Sequence, residues 1–385
     1  MRTLGVAAWT LGTSATACGI GLGALIARKL TAPVFPRSFD LVIRDVEITD
    51  GERVVVLDRN RQTSARGTYS LLFADGGWAQ LAAEAVDRGS SRVARVVTQS
   101  STGLTPSIGD PVAWSGIFFT TPAAAGLAAQ DVHISTPVGS APASLIRGEG
   151  ENASTWAIHI HGMGSPRSGP LRGARVASSL GLTSLIVSYR NDGEGPYTRS
   201  GRSMLGAEEV DDVDSALRYA LEHGAQRIVL FGWSMGAEIA LQLATHATRQ
   251  IGVSAMVLES PVLDWIATIR ANCRRAGIPA AAGVLAVPWL SIAPLARVIG
   301  LAGRIPFHTL NWIARARELT TPTLILHGSR DDSAPLHVSR DLAKLRPDIV
   351  HLEQFESAHT MTWNSDPQRW DAIVASWLTQ QFDEI

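Results

Sequence analysis

The stretch LFGWSMGAEIA, residues 230–240, decides the fold, because it places a serine between two glycines where an apolar run becomes a helical pattern. Gly232, Ser234 and Gly236 match the G-x-S-x-G pattern, in which a strand turns sharply into a helix and presents a serine hydroxyl. Glycine is needed at both flanks because side chains there would collide with neighbouring backbone. The pattern is common by chance, so its meaning depends on the elements around it.

Apolar runs alternate with amphipathic segments over the C-terminal two thirds of the chain. The runs that read as strands are WAIHIHG (156–162), TSLIVSYR (183–190), RIVLFGWS (227–234), SAMVLESP (254–261), PTLILHG (322–328) and DIVHLEQF (348–355). Runs that are apolar at successive positions are typical of strands buried on both faces. Between two of them, residues 206–224 carry an apolar stripe at helical spacing. The alternation predicts a βαβ series and a mostly parallel α/β sheet.

The chain divides into three parts on this pattern. Residues 1–38 hold an apolar segment and a Pro-containing linker, residues 39–128 hold short β-like runs that predict a small β-rich region, and residues 129–385 hold the α/β pattern. An apolar, Trp- and Pro-bearing insertion at about 265–317 interrupts the last part. We expect a helical cap that shapes an acyl pocket, since open α/β sheets bind ligands at the carboxyl ends of their strands. Ordinary surface helices are the alternative.

The N-terminal segment predicts attachment to a membrane. Residues 4–27 carry no charge and are flanked by basic residues. At about 1.5 Å per residue, a helix of this length would cross a bilayer core of about 30 Å. We therefore expect a single-pass membrane anchor and a membrane localisation, on a side that the flanking charges do not decide. A signal peptide cleaved before Cys18 is the alternative, and the GxxxG from Gly19 to Gly23 predicts weak homodimerisation through the anchor.

Composition argues against several functional classes. The 34 basic and 35 acidic residues are mixed along the chain and give a net charge of -1, so no nucleic-acid partner is expected. The two cysteines, Cys18 and Cys273, lie far apart and lack the spacing of a zinc site. No disulfide framework and no metal site is therefore predicted.

A serine hydroxyl is a poor nucleophile until a base takes its proton, so a histidine should follow in the chain. Of the ten histidines, four lie C-terminal to all the plausible acids or nearly so: His327, His337, His351 and His359. The first and third lie within strand-like runs and the second begins a helical segment. His359, in ESAHTMTW, follows the last strand as a loop residue and is the predicted base.

The acid that orients this histidine should lie in the loop after the penultimate strand. LHGSRDDSAP offers Asp331 and Asp332 there, and we predict Asp331. Asp264 in ESPVLDW is the alternate, because that loop also leaves the carboxyl end of a strand.

An oxyanion hole needs two backbone donors. We expect one to be the amide of Met235, directly after the nucleophile, where the positive end of a helix dipole would point at the site. The other should be the amide of Met163, in the HGMGS loop after the first parallel strand.

The motifs HIHGMGS, SYRND, GWSMG, LHGSRDDSAP and SAHT together resemble the α/β-hydrolase superfamily, in particular serine hydrolases related to prolyl-oligopeptidase catalytic domains and to BEM46-like membrane-anchored hydrolases. The resemblance covers residues 130–382 or so and departs from the usual GxSxGG in having Ala237 after Gly236. It implies an α/β-hydrolase fold and a metal-free, cofactor-free hydrolase of esters, thioesters or amides. Residues 39–128 lie outside it.

These residues favour a membrane-tethered hydrolase of carboxylic esters, with a small-molecule ester or acyl substrate. Ser234 would attack, His359 would move the proton and Asp331 would hold the imidazole. A prolyl-oligopeptidase-like peptidase is the alternative, although the β-rich region is too short for a propeller. An acyltransferase would use the same triad. A non-catalytic scaffold is disfavoured because no member of the triad is missing.

Overall fold

The computed structural model describes residues 19–245 and 252–383, and within these ranges the chain forms two eight-stranded sheets. The strands of the N-terminal sheet are β1 (Leu41–Val42), β2 (Asp45–Thr49), β3 (Glu52–Asp58), β4 (Tyr69–Phe73), β5 (Trp78–Leu81), β6 (Val86–Arg88), β7 (Arg92–Ser100) and β8 (Pro111–Ser115). Those of the C-terminal sheet are β9 (Gln130–Thr136), β10 (Gly139–Ile146), β11 (Thr155–Ile160), β12 (Thr183–Val187), β13 (Arg227–Trp233), β14 (Val253–Glu259), β15 (Thr323–Gly328) and β16 (Val350–Phe355).

Ten α-helices occur in the described ranges. They are α1 (residues 19–30), α2 (Leu171–Ser179), α3 (Glu209–Glu222), α4 (Met235–Thr245), α5 (Trp265–Arg275), α6 (Val287–Ser291), α7 (Ala293–Val298), α8 (Leu336–Leu345), α9 (Thr362–Ser365) and α10 (Pro367–Asp383). Short 3-10 helices occur at Ala123–Ala125, Gly150–Ser154, Ala280–Ala286 and Ala316–Glu318.

The N-terminal sheet is antiparallel, in the order β1-β8-β4-β5-β7-β3-β2, with β6 paired to β7. Its apolar residues, among them Val55, Leu57 and Leu71, pack into a core of their own. Arg95 on β7 is fully buried and donates hydrogen bonds to the carbonyl oxygens of four residues, including Ala65 at 2.8 Å. Burial lowers the pKa of Arg95 to about 10. This guanidinium ties the loop after β3 to the sheet.

The C-terminal sheet has the order β16-β15-β14-β13-β11-β12-β10-β9. Its strands run parallel from β12 to β16, and β10 and β9 complete it antiparallel. Apolar residues of α3, α4 and α8 pack on one face, and those of α2 and α10 pack on the other. This confirms the predicted α/β-hydrolase fold with a mostly parallel sheet and a β-rich region before it. Parallel strands share the edge at which their carboxyl ends meet, so the loops after β11, β13, β15 and β16 lie together.

The predicted membrane attachment is wrong. Among residues 19–245 and 252–383, no helix is both long enough and apolar enough to span a membrane. The membrane partner, the membrane localisation and the transmembrane helix expected over residues 4–27 are corrected accordingly. Residues 4–18 of that segment lie outside the described residues.

The physical reason is that α1 packs against the rest of the chain. Ala27 is fully buried in the core. The backbone at Gly23 approaches the insertion so closely that a Cβ atom there would lie 2.2 Å from the carbonyl oxygen of Leu285. The dimer expected through Gly19 and Gly23 loses its basis, because Gly23 faces Leu285 of the same chain. The described part of the apolar segment, residues 19–27, therefore belongs to a helix that packs against the rest of the chain.

The insertion forms α5, α6 and α7 together with two of the 3-10 helices. Trp265, Ile269, Leu290 and Trp312 are buried in the same core as Ala27. A helical insertion at this place is therefore confirmed, and its buried apolar residues pack on the C-terminal sheet and α1.

Because α1 contacts the insertion at Gly23 and not at Gly21, replacing each glycine by alanine should change the free energy of unfolding in opposite directions. Gly21→Ala should raise the free energy of unfolding by roughly 0.5–1 kcal/mol, since alanine favours a helix and its Cβ would meet nothing within 4 Å. Gly23→Ala should lower it by about 1–3 kcal/mol, because the added methyl group overpacks the Leu285 backbone. The urea midpoints of the two variants, at an unchanged m-value, measure this. Equal midpoints would contradict the observed packing of α1.

Candidate active site

Ser234 is the single residue between β13 and α4, and its backbone has a φ of 54°. This left-handed conformation is strained for a residue with a side chain and persists only where the surroundings impose it. Here the Ser234 amide donates to the carbonyl of Glu259 at 3.0 Å, and the Val262 amide donates to the Ser234 carbonyl at 3.2 Å. Both bonds tie this sharp turn, residues 232–236, which we call the elbow, to the chain that leaves β14.

The two flanking glycines are required by close contacts. A Cβ at Gly232 would lie 2.5 Å from the Cα of Ala237, and a Cβ at Gly236 would lie 2.1 Å from the carbonyl oxygen of Ile160. The close approach of Gly232 to Ala237 allows the sharp turn from β13 into α4. The close approach of Gly236 to Ile160 allows α4 to pack against the end of β11.

Three loops at the carboxyl edge of the sheet bring Ser234, His359 and Asp331 together. The Ser234 Oγ lies 2.9 Å from His359 Nε2, and His359 Nδ1 lies 2.7 Å from Asp331 Oδ2. Asp331 is fully buried, whereas His359 is partly exposed. Since a carboxylate only accepts, Nδ1 carries the proton, and Nε2 is left to accept the serine proton.

The Asp331 carboxylate is held by more than this histidine. Its Oδ1 accepts hydrogen bonds from the amides of Ser333 and Ala334, both at 2.9 Å. His327 Nε2 lies 3.3 Å from its Oδ2. Burial alone would raise the pKa of Asp331, but the hydrogen bonds and charges of His327 and His359 outweigh it and hold this pKa far below its usual range. Asp331 is therefore ionised at neutral pH.

Other residues considered from the sequence lie elsewhere. Asp264 caps α5, accepting from the amides of Ile266 and Ala267. Asp332 forms an exposed ion pair with Arg61 at 3.0 Å. None of these contacts involves Ser234.

The two residues whose amides are predicted for the oxyanion hole lie near Ser234. Met235 begins α4, and the first amides of a helix have no intrahelical acceptor. A Cβ at Gly162 would lie 3.2 Å from the Cβ of Ser234, so the loop after β11 runs beside the elbow. Met163 follows in that loop and lines the same cavity as Ser234.

A buried cluster supports this loop. His161 Nε2 lies 3.0 Å from Asp192 Oδ2, and the Tyr189 hydroxyl donates to the His161 carbonyl at 2.9 Å. Burial would raise the pKa of Asp192, but the hydrogen bond from His161 is among the contacts that lower it overall. The histidine of HGMGS thus acts as a structural group that fixes the loop.

Sequence reasoning missed a buried ion pair behind the site. Arg172 and Glu259 lie 3.1 Å apart and are both buried. Glu259 also accepts from the indole of Trp233 at 2.8 Å and from the amide of Thr362 at 3.0 Å. Arg172 donates to the carbonyl of Thr360, the residue after His359, at 2.9 Å. The pair therefore links the elbow to the loop that carries His359, residues 356–361, which we call the histidine loop. No local sequence signal marked either residue of the pair.

A cavity of about 290 Å³ opens at Ser234 and His359. Its lining includes Met163, Trp233 and Met361 from the α/β part of the chain. None of its lining residues belongs to the insertion at 265–317, so the acyl pocket expected there is not built by the insertion. The apolar side chains of the insertion pack into the core with α1 instead.

Residues 145–376 match the model of the Alpha/beta hydrolase family. The chain belongs to this family. It is an α/β-hydrolase enzyme, as predicted from the sequence. Residues 43–115 match a second model, described as Domain of unknown function (DUF8805).

Solved structures agree on the fold. Two crystal forms of the Pyrococcus furiosus esterase Pf2001 superpose with TM-scores of 0.52 and 0.53, each at 17% sequence identity and over 68% of this chain. The matches cover 95% and 94% of the two solved chains. No curated protein matches the sequence.

The depressed pKa of Asp331 predicts how its replacement changes stability with pH. The folded-state pKa lies below the unfolded value of about 3.9, so the ionised carboxylate stabilises the fold above that value and the stabilisation is lost as pH falls through the folded-state pKa. Asp331→Asn should therefore lower the free energy of unfolding at pH 7, and the gap to the wild type should narrow below pH of about 4. Urea titrations at several pH values measure the gap.

Asp332→Asn is the matched control for this experiment. It removes an exposed ion pair, which contributes at most about 1 kcal/mol. A gap between wild type and Asp331→Asn that stays constant from pH 7 to pH 3.5 would contradict the assignment of a stabilised carboxylate.

Proposed function

We propose that the protein hydrolyses carboxylic esters through an acyl-enzyme formed on Ser234. The observation that carries the proposal is the continuous hydrogen-bonded chain from Ser234 Oγ through His359 to the buried Asp331 carboxylate. It lies at the carboxyl edge of the sheet, beside a cavity large enough for a small molecule. The esterase activity named for the Pyrococcus furiosus protein is in line with this reaction class.

The chemistry follows from the geometry. His359 Nε2 takes the proton as Ser234 Oγ attacks the ester carbonyl, and Asp331 stabilises the imidazolium that forms. The amides of Met235 and Met163 receive the negative charge on the carbonyl oxygen. When the carbon–oxygen bond to the alcohol breaks, His359 returns the proton to the departing alkoxide. Water then repeats both steps on the acyl-enzyme and releases the carboxylic acid.

We further propose that residues 129–385 form the catalytic domain, that residues 39–128 form a small β-rich domain, and that residues 1–38 lead into it. The two sheets share no strand within the described residues, and the two family matches, 43–115 and 145–376, fall one on each side of this division. The cavity volume of about 290 Å³ is just below the range of about 300–1,000 Å³ for ligand pockets, which favours a small ester.

Covalent labelling tests the nucleophile. A fluorophosphonate should label Ser234, and Ser234→Ala should lose both labelling and the hydrolysis of p-nitrophenyl esters, because the variant lacks the hydroxyl that forms the acyl-enzyme. Ser291→Ala, on α6 in the insertion, serves as the control and should retain both. Labelling of Ser234 combined with rapid cleavage of a prolyl amide and slow cleavage of esters would replace the esterase by a peptidase.

A second pair of variants tests the acid. Asp331→Asn should lower kcat by a factor on the order of 10⁴, because the amide no longer holds the imidazole in the required tautomer. Asp264→Asn keeps a side chain that caps a helix and should change kcat by much less. Steady-state kinetics on one p-nitrophenyl ester, with the thermal midpoint as a check on folding, gives both values. The reverse order of effects would move the acid to the loop after β14.

A further inference from the structure

The cavity at Ser234 has a wall that comes from the N-terminal part of the chain. Arg37, from the linker after α1, lines it, and so do Trp114, Gly116 and Ile117 at the end of β8. These residues lie outside the stretch that matches the α/β-hydrolase family. The substrate pocket is thus completed by residues that the shared catalytic fold does not supply.

Buried hydrogen bonds hold this wall in place. The Asn364 side chain is fully buried, and its amide nitrogen donates to the carbonyls of Thr68 at 2.7 Å and Gly116 at 3.0 Å. Its side-chain oxygen accepts from Arg172 at 3.2 Å. A Cβ at Gly116 would lie 2.2 Å from the sulfur of Met361, so the contact is close. Because Asn364 lies five residues after His359, the N-terminal sheet is fixed directly to the histidine loop.

Two arginines line the cavity, and no aspartate or glutamate does. Arg172 is neutralised by Glu259. Arg37 has neither an ion pair nor a hydrogen bond with any of the described residues, and its side chain is accessible from solvent. The surrounding protein desolvates it, which lowers its pKa while leaving it a cation at neutral pH. An unneutralised positive charge therefore stands at the entrance to the cavity that holds the nucleophile.

We propose that this cavity selects small esters that carry a carboxylate, and that Arg37 binds this carboxylate. The proposal rests on the esterase function proposed above and names its substrate class. A guanidinium presents a planar set of N–H donors that matches a carboxylate in a two-point hydrogen bond. The apolar side chains of Trp114 and Ile117 contact the remainder of a small acid or alcohol, and the cationic entrance raises the local concentration of anionic substrate.

Two matched pairs of esters test this, one for each side of the ester bond. Mono-p-nitrophenyl glutarate against p-nitrophenyl butyrate places the carboxylate on the acyl side. 4-Acetoxybenzoate against its methyl ester places it on the alcohol side. In the wild type, kcat/KM should favour the anionic member of at least one pair by about ten-fold, mainly through a lower KM, as a charge-assisted hydrogen bond implies.

Variants of Arg37 connect the preference to this side chain. Arg37→Gln should bring the anionic-to-neutral ratio of kcat/KM close to one, Arg37→Glu should invert it, and Arg37→Lys should keep part of it. Arg304→Gln removes an exposed arginine that does not line the cavity and should leave the ratio unchanged. The wild-type ratio should also fall as salt is raised, because Arg37 is accessible to solvent.

The results of these assays distinguish a failure of the proposed role of Arg37 from a failure of the proposed esterase function. Equal efficiency on both members of both pairs, or an anionic preference that Arg37→Gln leaves intact, would overturn the role of Arg37. Turnover of the neutral esters and labelling of Ser234 would in that case still support the esterase. An absence of ester turnover together with an unlabelled Ser234 would overturn both.

Discussion

The active site depends on the contact between Gly236, in the first turn of α4, and the backbone at the end of β11. A Cβ at Gly236 would lie 2.1 Å from the carbonyl oxygen of Ile160, so only glycine allows the helix to lie this close to the sheet. The approach forces the chain to turn within one residue, which gives Ser234 its φ of 54°. It also sets the start of α4 beside the loop after β11. The nucleophile and both amides that we assign to the oxyanion therefore follow from one packing constraint.

A second constraint keeps the base in register with this elbow. The histidine loop follows the edge strand β16, which is three strands away from β13 and does not pair with it. The buried pair of Arg172 and Glu259 connects the two directly, by bonding to the elbow at Trp233 and to the backbone at Thr360 and Thr362. Such a pair adds little net stability, because the cost of desolvation offsets the attraction. The pair instead helps to fix the position of His359 relative to Ser234.

The sequence predicted the fold because its signals are local: apolar runs of strand length, helical stripes between them, and an elbow whose glycines have a steric reason. The candidate triad was also within reach, since strand ends in a parallel sheet meet at one edge. The role of α1 was not within reach. An uncharged apolar segment is expected both in a membrane and against an apolar protein surface. The contact of Gly23 with Leu285 distinguishes a packed helix from a membrane helix, and these two residues are far apart in the sequence.

The residues that line the pocket could not be predicted for the same reason, because they are far apart in the sequence. The insertion is apolar enough to line an acyl site, yet α1 and the core take up that surface, and the cavity is completed instead from Arg37 and the segment after β8. The groups that we propose as catalytic lie within residues 145–376, which match the family, whereas these wall residues lie before them. In our proposal, membership of the family supplies the reaction chemistry, and the wall from the N-terminal part of the chain, which the hydrogen bonds of Asn364 hold against the histidine loop, selects the substrate.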